Sequence, residues 1–377
     1  MSGARILHVH STFDLGGKEA RTVQIMNNFG SRFEHTVVVG EYNSLGARKA
    51  IGPQTKVRFS GKKAPPILGK PSIRRYYHLA KYMRQFDLIL TYSWGAMDVA
   101  MTHWLFSSWM RLPRLIHQED GFNEDETKKL LPKRNWFRWI ALRGCHKVIV
   151  PSRTLEEIAL SEWGVPERKL IRISNGIDVK SYQSGPRPDA IPGIIKRDSE
   201  IIVGTVAGLR TVKNLARLVR VIAATDSNVR LVIVGEGSAR SKITAEAKRV
   251  GVYDRLVMPG FLEEPWRFIG LFDIFALSSD SEQFPIALIE AMAANRPVVA
   301  TDVGDTRHMV AQSNKDYIVP KDDEELFAAA IRELASNKLL REKIGADNGC
   351  VAEEKYQETS MLTRYKSLYE EAMTDPN

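Results

Sequence analysis

The sequence predicts an α/β protein made of two doubly wound parallel-sheet domains that face each other across a cleft. Three observations carry that reading. Short apolar runs such as RILHVH and IIVGTVA alternate with stretches of helical period, the order expected of βαβ units. The alternation runs once through the first half and restarts after a Pro- and Gly-rich stretch, SGPRPDAIPG. At 377 residues the chain is long enough for two such cores. The domains are expected at 1–180 and 181–356, with a last helix at about 357–377.

The first strand is expected at 5–10, followed by the loop STFDLGGKEA and a helix over roughly 19–28, which is how a doubly wound sheet opens. Gly16 and Gly17 permit a close approach of backbone to a ligand. A plain tight turn explains them equally well, and the spacing is not the Gly-x-Gly-x-x-Gly of a dinucleotide site. Further strands are read at 35–40, 87–92, 114–118, 147–151 and 170–178, and helices from Ser72, over 132–143 and over 154–163. His117 ends a strand and runs into the polar loop EDGFNEDE, the kind of loop in which open sheets hold ligands. On its own it also reads as an ordinary strand-end histidine.

In the second half, strands are read at 201–207, 230–234, 256–259, 274–279 and 298–301. Helices are expected over 215–224, 240–250, 285–295 and 323–335, and from 351 to about 373. The stretch SSDSEQFPIALIEAMAANRPVVATD stands out. A strand end, a polar loop and a helix beginning at Pro285 make an anion site, with free N–H groups from Ile286 onward. Glu282 and Glu290 flank that cationic end, and carboxylates suit hydroxyls better than phosphate. The pair therefore fits a ligand that is part phosphate and part sugar; an acidic solvent loop before an amphipathic helix is the plainer alternative. Arg210 and Lys213, in the loop after the first strand of this half, lie at the same sheet edge and offer a fork and a point charge to a diphosphate.

Charge is divided unevenly. Residues 1–180 hold 29 Lys and Arg against 16 Asp and Glu, and the remainder holds 25 against 29, within a net +9. A basic first half implies an anionic partner there, nucleic acid or a membrane surface. From Lys128 to Arg143 there are six basic residues and no acid. On a helical wheel Trp136, Phe137, Trp139 and Ile140 share one side, with Arg134 and Arg138 opposite. Lys128, Lys129, Lys133, Arg134, Trp136, Arg138 and Trp139 thus form either an interfacial surface for anionic lipid or a helix resting on its own sheet. No apolar run is long enough to span a membrane, and the start lacks a signal-peptide core, so a cytoplasmic setting is expected. Cys145 and Cys350 form no metal or disulfide framework, and no Asp-x-Asp pair or His cluster has metal spacing. No metal or other cofactor is expected.

Several of these pieces together resemble a known family. ILHVHSTFDLGG, HQEDGF, VPS and ISNGID, then VAGLRTVKN, LVIVGEG, MPGF and SEQFPIALIEAMAANRPVVATDVGD, look in order and spacing like a family 4 glycosyltransferase of the GT-B fold, with two Rossmann-like domains. The resemblance implies a retaining, metal-independent hexosyltransferase using a nucleotide sugar. It assigns Glu290 to the ribose hydroxyls, Glu282 to the donor sugar, and the Pro285–Ile286 helix start and Lys213 to the phosphates. Gly16 and Gly17 would approach the diphosphate, and His117 would face the reacting sugar. Two departures stand out: Gly208 occupies the place of the family's arginine, with Arg210 two residues later, and Glu282-Gln283-Phe284-Pro285 replaces Glu-Gly-Phe-Gly.

The expected function is transfer of a sugar, from a UDP-sugar by preference, to a saccharide or lipid-linked acceptor in glycan or glycolipid synthesis. The setting would be the cytoplasmic face of a membrane. A soluble transferase or epimerase of the same fold acting on small sugars is the alternative within the class. A nucleic-acid-binding module, motivated by net charge, is the alternative outside it; the acidic second half and the lack of a nucleic-acid motif speak against it.

Overall fold

The computed structural model describes residues 3–374 apart from Leu15, 123–125, Thr127, Lys128, Lys196 and Asp198. Two compact units emerge. The first extends through Ser174 and resumes at Met361; the second is Asn175–Ser360. The chain changes unit inside SNGID, a little before the Pro-rich stretch.

The first unit is built on a seven-stranded parallel sheet, ordered β3-β2-β1-β4-β5-β6-β7. Its strands are β1 (Ala4–His10), β2 (Phe33–Val39), β3 (Val57–Phe59), β4 (Leu88–Tyr92), β5 (Leu115–Gln118), β6 (Lys147–Val150) and β7 (Leu170–Arg172). The helices are α1 (Gly17–Phe29), α2 (Ile73–Met83), α3 (Met97–Met110), α4 (Pro132–Ala141) and α5 (Arg153–Ser161). Side chains alternate across each strand, so Leu7 and Val9 join α2, α3, α4 and α5 in one core, while Ile6 faces α1 on the other. Ser72 starts α2 by accepting the Arg75 N–H at 3.3 Å.

The sequence reading misses β3 and α3, and extends the strand at 170–178 too far. The reason for α3 is physical. Its sequence, MDVAMTHWLFSSWM, is apolar on nearly every side and carries no 3.6-residue contrast. One side packs Met97, Ala100 and Phe106 into the core, while Trp104, Leu105 and Trp109 remain exposed.

The second unit has a six-stranded parallel sheet, ordered β10-β9-β8-β11-β12-β13. Its strands are β8 (Ile201–Val206), β9 (Val229–Val234), β10 (Leu256–Gly260), β11 (Ile274–Leu277), β12 (Val298–Thr301) and β13 (Ile318–Val319). The helices are α6 (Val179–Gln183), α7 (Leu215–Ala223), α8 (Arg240–Arg249), α9 (Ile286–Ala293), α10 (Thr306–Met309), α11 (Glu324–Ser336) and α12 (Lys338–Lys355). Helices α6, α9 and α12 cover one face and α7, α8 and α11 the other. In both sheets the order reverses beside the first strand, and crevices for ligands open at such points.

A final helix, α13 (Glu358–Thr374), starts after a break at Tyr356–Gln357, close to the last helix expected from about 357, whereas the helical pattern alone runs unbroken from 351. From Met361 onward it belongs to the first unit. Tyr365, Leu368 and Tyr369 pack there against Phe29, Leu88 and Ile116.

Gly204 shows how tightly the second core is built. A Cβ at this strand position would lie 2.2 Å from the Phe272 ring. Gly204→Ala is expected to lower stability by about 1–3 kcal/mol through overpacking. Gly208→Ala, whose Cβ would meet nothing nearer than Arg210 Nε at 3.8 Å, should be neutral to within roughly 0.5 kcal/mol, and a denaturant titration of both variants against the wild type checks the pair.

Candidate active site

In the second unit the site forms where β8 and β11 end side by side. The loop after β8 folds into a tight turn over Thr211–Lys213. The loop after β11 lies along it, with the Asp280 N–H on the Val212 carbonyl at 2.8 Å and Ser278 Oγ on the Lys213 carbonyl at 3.1 Å. Lys213 Nζ meets Glu282 Oε1 at 2.5 Å, and Ser279 Oγ donates to the same oxygen at 2.6 Å. Both charged side chains are largely shielded from water, which strengthens the pair. Arg210, in the same loop, is exposed and makes no ion pair among the described residues. Gly208 beside it is open.

Two neighbouring loops tighten the site. Gly237 of the GEG stretch has φ +155°, and a Cβ there would meet the Leu209 carbonyl oxygen at 2.5 Å. Only glycine lets the loops after β8 and β9 lie this close. Across the site, Thr301 Oγ1 donates to the Ser279 carbonyl at 2.6 Å, fixing the loop that carries Glu282.

Pro285 is the residue before α9, in extended conformation, rather than its first helical residue. The N–H groups of Ile286 and Ala287 precede the first helix-closing bond, from Leu288 N–H to the Pro285 carbonyl at 3.2 Å. Glu290, one turn further on, is half-buried and accepts a bond from the Tyr182 hydroxyl at 3.0 Å. Burial raises its carboxyl to about 7, against the opposing pull of that bond. The two glutamates thus differ in kind: Glu282 is neutralised by a cation, Glu290 is held by a neutral donor.

In the first unit, Gly16 caps α1 at φ −131°, extended backbone open to any residue, and Gly17 begins the helix. The helix is anchored by Arg21, whose guanidinium meets Asp120 at 2.5 and 2.8 Å and Gln118 at 3.1 Å. Gln118 in turn donates to the Tyr369 hydroxyl at 3.1 Å. The glycine loop is therefore tied to the end of β5.

His117, at that strand end, is fully buried, so in this conformation it presents no surface to a sugar, contrary to the expectation that it faces one. Its Nδ1 pairs with Thr91 Oγ1 at 2.9 Å, and its Nε2 lies 3.9 Å from Glu119 Oε2.

Helix α4 departs further from expectation. Arg138 is not on an outward face: it is fully buried, bonding both Glu126 oxygens at 3.0 Å and boxed by the rings of Trp94, Phe122 and Trp163. Arg134 turns inward to the same carboxylate at 2.9 Å. Phe137 and Ile140 face the core, while Trp136 and Trp139 point out with Lys133. Hydropathy places arginine outside; a forked carboxylate and stacked rings let its planar cation go inside. Lys129 is exposed, and Lys128 lies outside the described residues.

Sequence reasoning misses Ser279, Tyr182, Arg21 and Asp120, common residue types whose importance appears only through tertiary partners. The described residues contain no helix long and apolar enough to cross a membrane, and no group of three or more His, Cys, Asp or Glu arranged to hold a metal ion.

Comparison with known proteins bears on the family and the fold. A family model for group 1 glycosyl transferases matches residues 187–348, and one for Glycosyltransferase Family 4 matches residues 15–181. The chain belongs to the family 4 glycosyltransferases, and its fold is GT-B. Among curated relatives, phosphatidyl-myo-inositol mannosyltransferase of Mycobacterium tuberculosis is 28% identical over 242 residues, 61% of each chain. N-acetyl-alpha-D-glucosaminyl L-malate synthase of Bacillus anthracis is 22% identical over 212 residues, 56% of each. The chain thus spans somewhat over half the length of these relatives. A transferase of Campylobacter jejuni whose name gives a diphospho-undecaprenol-linked acceptor is 25% identical over 61% of this chain and 60% of its own. Among solved structures, Anabaena HepE in complex with UDP superposes with a TM-score of 0.78 at 17% identity, over 97% of this chain and 99% of its own.

The Glu290 environment predicts a pH signature. A carboxyl whose folded pKa lies above its unfolded value stabilises the fold while protonated; that contribution is complete below about 4.5 and is lost as pH rises through about 7. Glu290→Gln, permanently neutral, should match the wild type in thermal unfolding at pH 5 and melt higher at pH 8. A lower melting temperature at pH 8 would contradict the assignment.

Proposed function

We propose that the protein transfers a hexose from a nucleotide sugar, with UDP the favoured carrier, to a lipid-linked or saccharide acceptor, retaining the anomeric configuration and using no metal. The observation that carries this reading is the Lys213–Glu282–Ser279 knot at the start of α9, with Glu290 along the same helix. Lys213, Arg210 and the first amides of α9 supply positive charge for a departing diphosphate. Glu282 and Glu290 accept hydroxyls, the first from the sugar and the second from the ribose. Lys213 has three donors and one is committed to Glu282, so it can meet a phosphate oxygen while holding the carboxylate in place. The acceptor oxygen bonds to the anomeric carbon on the side the diphosphate leaves, and its proton passes to a diphosphate oxygen. The UDP in the HepE structure supports uridine as the base.

The lipid-linked acceptor is supported by the outer surface of α2, α3 and α4. Tyr77, Trp104, Trp109, Trp136 and Trp139 are exposed there, among exposed Arg74, Lys81, Arg111 and Lys133. Asp98 is the one acid within these three helices, and Arg75 neutralises it at 2.5 Å. Aromatic rings among cations suit an anionic bilayer surface. Two relatives are named for lipid substrates, a phosphatidyl-inositol and a diphospho-undecaprenol.

Turnover of a panel of nucleotide sugars by the purified protein tests the donor assignment. Lys213→Ala is expected to lower kcat by about 10²–10³-fold, the cost of losing one transition-state donor; unchanged kcat would refute the role. The protein is also expected to float with anionic vesicles at low salt. Trp109→Ala combined with Trp136→Ala should release it, and absence of flotation for the wild type would exclude the membrane surface.

A further inference from the structure

Tyr182 sits on α6, shortly after the chain enters the second unit, and is almost fully buried. Its ring packs edge-on to Trp266 with centroids 6.4 Å apart, within the same core cluster as Leu288, Ile289 and Met292 of α9. A phenylalanine would fill that space. The hydroxyl adds one thing, a 3.0 Å hydrogen bond to Glu290 Oε1.

We propose that Tyr182 is a positioning residue for the nucleotide: its hydroxyl fixes Glu290 Oε1 and leaves Oε2 to accept the ribose hydroxyls. The inference rests on the reading of Glu290 as the ribose-binding carboxylate. A glutamate with one oxygen tethered has already lost the rotamer freedom that binding would otherwise remove. A neutral tether suits this task better than a cation. It orients the carboxylate without neutralising it, so above about pH 7 the charge remains for the ribose hydroxyls, and charge-assisted bonds are the stronger kind. The phenol remains a donor throughout the working range, because burial and then the Glu290 charge push its ionisation far upward. The contrast with Glu282 fits a division of labour. Glu282 stands among phosphate-binding cations and needs Lys213 beside it, whereas Glu290 lies further along α9 and is held by the Tyr182 hydroxyl.

The test uses the full-length protein, with UDP and GDP as probes in calorimetric titrations from pH 6 to 8.5. Tyr182→Phe should weaken the bound nucleotide by about 10-fold, as expected for one hydrogen bond to a charged group. Donor KM should rise by a similar factor while kcat at saturation holds within about twofold, a split expected of an effect on ground-state binding. The pH at which affinity falls should move upward from about 7, because removing the tether leaves the buried carboxyl less stabilised as an anion. In a Glu290→Gln background the Phe substitution should add nothing. If Glu290→Gln weakens UDP while Tyr182→Phe leaves both affinity and pH midpoint unaltered, the positioning role is overturned on its own. If Glu290→Gln binds both nucleotides as tightly as the wild type, the ribose reading is overturned, and this inference with it.

Discussion

The ion pair between Lys213 and Glu282 is the interaction on which the loops at the second unit's switch point depend. Parallel strands send all their carboxyl ends to one edge, and the reversal of order between β8 and β11 parts the following helices there. A crevice of that kind is a weak point as well as a binding place, since its loops have no ladder to hold them. Here a shielded cation and carboxylate close it, helped by Ser279 and by backbone bonds between the two loops. Under the proposed function, the same pair lets a carboxylate stand beside a bound phosphate, because Lys213 cancels the repulsion that Glu282 would otherwise exert. Under that function, structure and binding use the same atoms.

The first unit solves a similar problem with arginine. Arg21 joins the glycine loop's helix to the end of β5 through Asp120 and Gln118, and Arg138 occupies the interior with Glu126 as its counter-ion. Buried ion pairs contribute little net stability but are costly to break, so they fix one arrangement against its alternatives. The loop with Gly16 and Gly17 owes its position to such a pair rather than to glycine itself, whose backbone at Gly16 is ordinary extended chain.

The alternation of strands and helices was legible because each parallel strand is a short apolar run and most helices carry a clear stripe. It failed at α3, where the stripe disappears because the helix is apolar on its exposed side too. It failed again at the end of the chain, where Tyr356–Gln357 breaks a continuous helical pattern. Lys213, Glu282 and Glu290 could be picked out because charge beside a helix start is local information. Tyr182 could not, since its partner is distant in sequence, and a tyrosine in an apolar stretch reads as core. Arg138 was misplaced for the converse reason: its burial depends on Glu126 and on rings from three separate segments.

The return of α13 to the first unit has a consequence for biosynthesis. Tyr365, Leu368 and Tyr369 complete a core some of whose members, Ile6 and Phe29 among them, leave the ribosome more than three hundred residues earlier. The second unit, contiguous over Asn175–Ser360, holds all its own strands and can close as soon as they emerge. The first unit's core can therefore be completed only after the whole of the second unit has been synthesised, although domains generally fold in order from the N-terminus. Until residues 358–374 are made, the apolar face they cover lies open, and the nascent first unit is a natural client for chaperones that recognise such surfaces.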